Sequence, residues 1–73
     1  MQLPAYYIVG TRPVKLIRTE DGGMDVLALN EDTGQFERAL SLLSKVLQGA
    51  GDVEEVSQAA FDTQVEAVRA RRR

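Results

Sequence analysis

Apolar residues in the first half of the chain come in short runs that are separated by turn-forming residues. The runs cover residues 6–9, 14–19 and 24–29 and are rich in β-branched, aromatic and aliphatic side chains. Gly10 and the Gly22-Gly23 pair stand between them, and glycine accepts the positive φ of tight connections. This spacing predicts three strands of an antiparallel meander.

Residues 30–34 carry the sharpest turn signal in the chain. Asn30, Asp32 and Thr33 are turn formers, and Gly34 stands where a type I turn with a G1 bulge needs a left-handed residue. We therefore expect residues 35–38 to fold back, antiparallel, beside residues 26–30.

The hydrophobic period changes after residue 39. Leu40, Leu43 and Leu47 recur at the i, i+3, i+7 spacing of one helix face, and polar residues occupy the opposite side. Gly49 follows as a C-terminal stop. The pattern predicts an amphipathic helix near residues 41–48, with the three leucines along its apolar side.

Two interpretations compete from residue 52 onward. In the first, residues 52–55 form a capping box that opens one long helix to the C-terminus. In the second, residues 53–56 are extended and Ser57 is the N-cap of a separate helix. We favour the second because of the β-branched residues in the segment and the serine that follows it. The apolar face of that helix is then formed by Phe61, Val65 and Val68.

Together these elements predict an α+β fold. A three- to four-stranded antiparallel meander over residues 5–39 is followed by two helices, near 41–48 and 57–71, packed on one face of the sheet. No internal repeat or linker divides the sequence. We expect residues 1–73 to form a single small domain with a frayed basic C-terminal end.

The amino-acid composition limits the kinds of catalytic and metal-binding site that the protein can form. The 73 residues include no Cys, His or Trp, which excludes disulfides, Cys or His metal sites and His-dependent nucleophilic catalysis. Seven carboxylates are candidates for acid/base catalysis, and nearly all lie in predicted turns or helix starts, where water screens them and no neighbour shifts a pKa towards neutrality: Glu20, Asp21, Asp25, Glu31, Asp32, Glu54 and Glu55. We therefore expect no enzyme, no cofactor and no bound metal.

The N-terminal residues lack a basic region and an apolar stretch typical of a signal peptide, and no apolar run approaches the ~20 residues that cross a bilayer. We expect a cytoplasmic protein with no membrane partner. Seven arginines against two lysines are typical of a GC-rich bacterial genome.

Candidate interaction residues fall into two groups. Tyr6 and Tyr7 are neighbours on a strand, so one ring is expected in the core and the other partly exposed as an anchor for a partner. The second group puts four of the nine basic residues at the C-terminus of an otherwise acidic chain: Arg69, Arg71, Arg72 and Arg73. They either contact phosphate or an acidic surface, or simply complement the dipole at a helix C-terminus.

The exclusion of the common catalytic and metal-binding residues and the small size of the chain favour a non-catalytic protein-interaction module, such as a small regulator, inhibitor or accessory subunit. It would bind another protein or a second copy of itself through an exposed sheet edge or an apolar patch. The alternative is a nucleic-acid-associated accessory protein that contacts phosphates through the C-terminal arginines. The acidic body of the chain and the lack of interleaved aromatic residues count against this alternative.

Overall fold

The structure is a computed structural model that describes residues 2–49 and 51–71. It has five strands, a short 3-10 turn and two α-helices. In chain order these are β1 (Ala5–Val9), β2 (Arg12–Arg18), β3 (Met24–Leu29), β4 (Phe36–Arg38), the 3-10 turn Leu40–Leu42, α1 (Leu43–Gln48), β5 (Val53–Val56) and α2 (Gln58–Arg71). The α+β class expected from the sequence is confirmed.

The strands form one antiparallel sheet in the order β4-β3-β2-β1-β5. The first four strands form the expected meander, but β5 returns to pair with β1 at the far side, so the sheet has five strands and not three or four. Tyr6 lies opposite Val56 in this pairing, and Val9 lies opposite Val53. The predicted number of strands was too low because β5 is short and pairs with a strand more than 40 residues earlier in the chain. No local sequence pattern encodes such a contact.

The region after residue 52 follows the second of the two interpretations. Residues 53–56 form β5, and Ser57 caps α2: its side-chain oxygen accepts a hydrogen bond from the Ala60 N–H at 3.2 Å. The Phe61 N–H donates to the Ser57 carbonyl oxygen at 2.9 Å. The apolar face of α2 is confirmed as well, because Phe61, Val65 and Val68 are all buried.

The β3–β4 hairpin also has the predicted form. Gly34 is left-handed with φ 74°, and its N–H donates to the Asn30 carbonyl oxygen at 2.8 Å. The Asn30 side-chain oxygen accepts from the N–H groups of Asp32 and Thr33, which fixes the turn from inside. The strand that follows pairs with β3 in the expected antiparallel direction, with Leu29 opposite Phe36.

The first helix is shorter than predicted, and its apolar face is different. It starts as a 3-10 turn, becomes α-helical at Leu43 and ends at Gly49, which is left-handed with φ 66° as expected for a stop. Val46 is 4% exposed, whereas Leu40 and Leu47 are 51% and 48% exposed. Leu43 packs against the buried cluster as predicted, but the placement of Leu40 and Leu47 on the inner face was wrong, because the helix uses the face that carries Val46.

The two helices cover opposite faces of the sheet, and not the same face as predicted. Tyr6 and Tyr7 are neighbours in β1 and point to opposite faces. Tyr7 belongs to a buried cluster with Val46 of α1, while Tyr6 packs against the cluster that contains Phe61 of α2. The strands carry apolar residues at adjacent positions, so both faces need cover and each helix supplies it for one.

Candidate interaction site at the open edge of the sheet

The two tyrosines separate as the sequence predicts. Tyr7 is buried, and Tyr6 is half-buried with its ring centroid 4.9 Å from that of Phe61. Phe36 contacts the same phenylalanine from the other side, at 5.9 Å. Tyr6 thus joins an aromatic row on the α2 face and has only part of its surface exposed.

A surface groove of about 560 Å³ lies where β1 begins and β5 passes into α2. Both tyrosines contribute to its lining, although they point to opposite faces, because the groove wraps around the end of the β1·β5 pair. Residues that matter for its chemistry are Pro4, Tyr6, Tyr7, Glu55, Val56 and Ser57. The groove therefore combines aromatic and aliphatic surface with one carboxylate.

Glu55 lies directly opposite Tyr7 in the β1·β5 pair and acts electrostatically on its hydroxyl. Burial is the main reason that the pKa of the Tyr7 hydroxyl is raised above its usual value of 10.0, and the negative charge of Glu55 is the second reason. Both causes disfavour a phenolate. Tyr7 therefore stays protonated at neutral pH, as an apolar ring with a polar tip.

The hydrogen-bond pattern of β5 can be derived from its first contact with β1. The Gly10 N–H donates to the Asp52 carbonyl oxygen at 2.8 Å, which makes these residues a hydrogen-bonded pair. Hydrogen-bonded pairs alternate along an antiparallel ladder. Glu54, opposite Ile8, is therefore the next residue whose backbone groups point towards β1.

By the same alternation, Val53 and Glu55 direct their N–H and C=O groups away from β1. No strand of the described residues lies on that side, because β5 ends the sheet. We call this row of outward backbone groups, carried by residues 53–56, the open β5 edge. It is longer than the opposite edge, where β4 has three residues. An unpaired edge of this kind is a template for another strand.

The side chains of the open β5 edge are charged at the centre. Glu54 and Glu55 are both exposed, and neither has an ion-pair partner among residues 2–49 and 51–71. Ion pairs in that part of the chain join Asp25 to Arg38 at 2.8 Å and Asp52 to Lys45 at 3.0 Å. The edge thus presents two uncompensated carboxylates between two valines.

The C-terminal arginines do not form one surface in the described part of the chain. Arg69 donates through Nε to the Gly34 carbonyl oxygen at 3.0 Å, so this cation has a structural role. Arg71 lines a second groove, of about 430 Å³, together with the acidic residues Glu31 and Asp32. Arg72 and Arg73 lie outside the described residues.

Within the described ranges there is no group of three or more Asp and Glu residues that could hold a metal ion. In the same ranges, no helix has the length and apolar character needed to cross a membrane.

Sequence reasoning named the tyrosines but missed the two glutamates between the valines of β5. The extended conformation of residues 53–56 is the favoured one of two interpretations of the sequence, and without its neighbours in the sheet the segment could not be assigned to an edge. A strand with two adjacent charges is a signal for an edge position, since charged side chains protect edges from unwanted pairing. Comparisons with protein-family models, with curated proteins and with solved structures found no match to this chain.

Proposed function

We propose that the chain is a non-catalytic protein-interaction module that binds one extended segment of another protein along the open β5 edge. A small regulator, inhibitor or accessory subunit works in this way. The observation that carries the proposal is the row of outward backbone groups at Val53 and Glu55, next to a groove lined by Tyr6 and Tyr7.

Strand addition suits this site on energetic grounds. The main-chain groups of an added strand supply hydrogen bonds along the edge, and side-chain pockets supply specificity. The edge already lies against a formed sheet, so the partner alone loses conformational freedom on binding. The half-buried tyrosine offers the amphipathic ring that is enriched at interface centres.

The alternative, contact with nucleic-acid phosphates through the C-terminal arginines, has less support. Arg69 already binds Gly34, and Arg71 lies beside Glu31 and Asp32, which would repel a phosphate backbone. If the alternative held, binding to generic duplex would fall steeply as salt rises. Binding through a sheet edge would depend on salt far less.

The experiment is a selection of random peptides on the immobilised full-length chain, followed by mapping of the selected peptides on a ¹⁵N–¹H spectrum. We expect the largest shifts, and slowed amide exchange, at the outward amides of Val53 and Glu55. Selected peptides that shift only amides outside β5 and its groove would overturn the proposal, and so would a selection that yields no binder.

A pair of variants at one position separates backbone pairing from side-chain contact. Glu55→Pro removes an outward N–H and leaves the bonds of Glu54 to β1 in place, as proline is tolerated at edge positions whose N–H faces solvent. Glu55→Thr keeps that N–H and suits a strand. We expect binding to be lost in Glu55→Pro and retained in Glu55→Thr, with dispersed spectra for both. Equal binding by the two variants would contradict strand addition.

A further inference from the structure

We infer that the segment bound at the open β5 edge carries two adjacent basic residues between apolar ones, and that it belongs to another protein and not to a second copy of this chain. The inference rests on the proposed function and adds the chemistry of the partner. It follows from the side chains of Val53, Glu54, Glu55 and Val56 and from the direction of their backbone groups.

The two central positions select for positive charge. Glu54 and Glu55 are consecutive, so their side chains lie on opposite faces of the strand. In an added antiparallel strand, the residue directly opposite each glutamate lies on the same face at about 5 Å between Cβ atoms. Two consecutive residues of the partner therefore meet one exposed carboxylate each, on alternate faces, and neither carboxylate has a cation in the described part of the chain.

The two outer positions select for apolar side chains. Val53 is half-buried against the cluster that contains Tyr7, and Val56 is half-buried against the cluster that contains Phe61. A residue opposite either valine extends one of these clusters. The resulting recognition pattern is apolar-basic-basic-apolar, which reads the same in both chain directions.

A second copy of β5 does not fit the same edge. Two antiparallel strands pair only where residues with outward N–H and C=O groups lie opposite each other. Val53 and Glu55 of one copy must therefore lie opposite such residues of the other copy. The two-fold arrangement that uses both of them sets Val53 opposite Glu55 and places Glu54 opposite Glu54. Shifting the register by one pair in one direction places Glu55 opposite Glu55, and shifting it in the other direction places Glu54 opposite Asp52. Like charges directly opposite each other destabilise an antiparallel pair.

Three synthetic peptides test the charge requirement. Each has about eight residues, the length of an ordinary strand, with threonine ends and a central Val-X-X-Val in which X-X is Lys-Lys, Gln-Gln or Glu-Glu. Binding is measured by amide shifts in the full-length chain at low salt. We expect the Lys-Lys peptide to bind roughly 2- to 30-fold more tightly than the Gln-Gln peptide, with no binding of the Glu-Glu peptide. The difference should shrink as added salt shortens the screening length.

Two double variants provide the matched controls. Glu54→Gln with Glu55→Gln should bind the Lys-Lys and Gln-Gln peptides equally. Glu54→Lys with Glu55→Lys should prefer the Glu-Glu peptide, which a merely structural role of the glutamates would not produce. Neither position is buried, so both variants should fold.

The outcomes separate this inference from the proposed function. If the Gln-Gln peptide binds at β5 as tightly as the Lys-Lys peptide, the charge requirement is overturned and strand addition stands. The requirement is also overturned if display-selected peptides shift β5 amides and the Lys-Lys peptide does not. If no peptide of either kind shifts β5 amides, the proposed function itself fails. A concentration-dependent dimer whose amide shifts map to β5 would overturn the exclusion of a second copy.

Discussion

The Nε atom of Arg69 donates a hydrogen bond to the carbonyl oxygen of Gly34, 3.0 Å away, and so joins the last turn of α2 to the β3–β4 hairpin. Gly34 is buried and left-handed, and it precedes the strand whose Phe36 stacks on Phe61. Arg69 therefore holds the end of α2 over the β3–β4 hairpin. Phe61 of the same helix contacts this hairpin as well, through Phe36. Arg69, one of the four C-terminal arginines, thus has a role in stabilising the fold.

Removing this hydrogen bond should cost stability, whereas removing a neighbouring charge should not. We expect Arg69→Ala to lower the free energy of unfolding by about 1 kcal/mol, the usual net contribution of such a bond. Arg71→Ala removes a cation from the same helix end and should change it by less than about 0.5 kcal/mol. Chemical denaturation of both variants measures the difference. Equal effects would assign the loss to the helix dipole and not to Gly34.

The left-handed conformation of Gly34 gives a second prediction. Gly34→Val should destabilise the fold by about 1–2 kcal/mol, because a β-branched residue at φ 74° suffers a steric clash with its own backbone. Gly34→Asn is the control, since asparagine tolerates this region, and it should cost less. Equilibrium melts decide the matter. A valine variant as stable as the asparagine variant would show that φ does not set the cost.

The parts of the fold that could be predicted from the sequence are those stabilised by interactions between residues close together in the chain. The Asn30 side chain closes a turn with residues two and three positions away, and Ser57 caps a helix that starts at the next residue. The pairing of β1 with β5 depends on a contact between distant segments, and the open β5 edge exists only as a result of it. Candidate tyrosines could thus be named from alternation alone, but the two glutamates could not.

The aromatic row on the α2 face depends on Phe61. This ring is 3% exposed and lies between Tyr6 and Phe36, at centroid distances of 4.9 and 5.9 Å. Phe61→Ala should cost about 3–5 kcal/mol and leave little folded protein, since small domains have few kcal/mol to lose. The exposed neighbour Asp62, changed to alanine, is the control and should retain a dispersed spectrum. A cooperative native spectrum for Phe61→Ala at 25 °C would contradict this packing.

The raised pKa of Tyr7 predicts how stability depends on alkaline pH. The folded state holds the phenolic proton more tightly than the unfolded state, so the unfolded state loses it first as pH rises. The free energy of unfolding should therefore fall from about pH 10 upward until the pH passes the folded-state pKa. Tyr7→Phe should remove this contribution. Glu55→Gln should only reduce it, because burial is the larger cause. Denaturant melts between neutral and alkaline pH compare the three chains, and parallel curves for parent and Tyr7→Phe would refute the assignment.

The inner face of α1 is decided by tertiary packing, and two adjacent residues test it. Leucine spacing alone favoured Leu40, Leu43 and Leu47, yet the helix starts as a 3-10 turn, which changes the angle between residues before and after Leu43. Val46 then enters the cluster of Tyr7 and Leu47 remains half exposed. We therefore expect the larger side chain to contribute less to stability.

We expect Val46→Ala to lower the free energy of unfolding by about 2 kcal/mol, from the transfer of two buried carbons and the cavity that they leave. Leu47→Ala deletes more atoms from a site that water already reaches, so it should cost less than about 0.5 kcal/mol. Alanine favours the helix at both positions, so helix propensity does not account for a loss at either. Denaturant melts of the two variants give the comparison directly. A greater loss for Leu47→Ala would mean that the leucine face, and not the face with Val46, packs on the sheet.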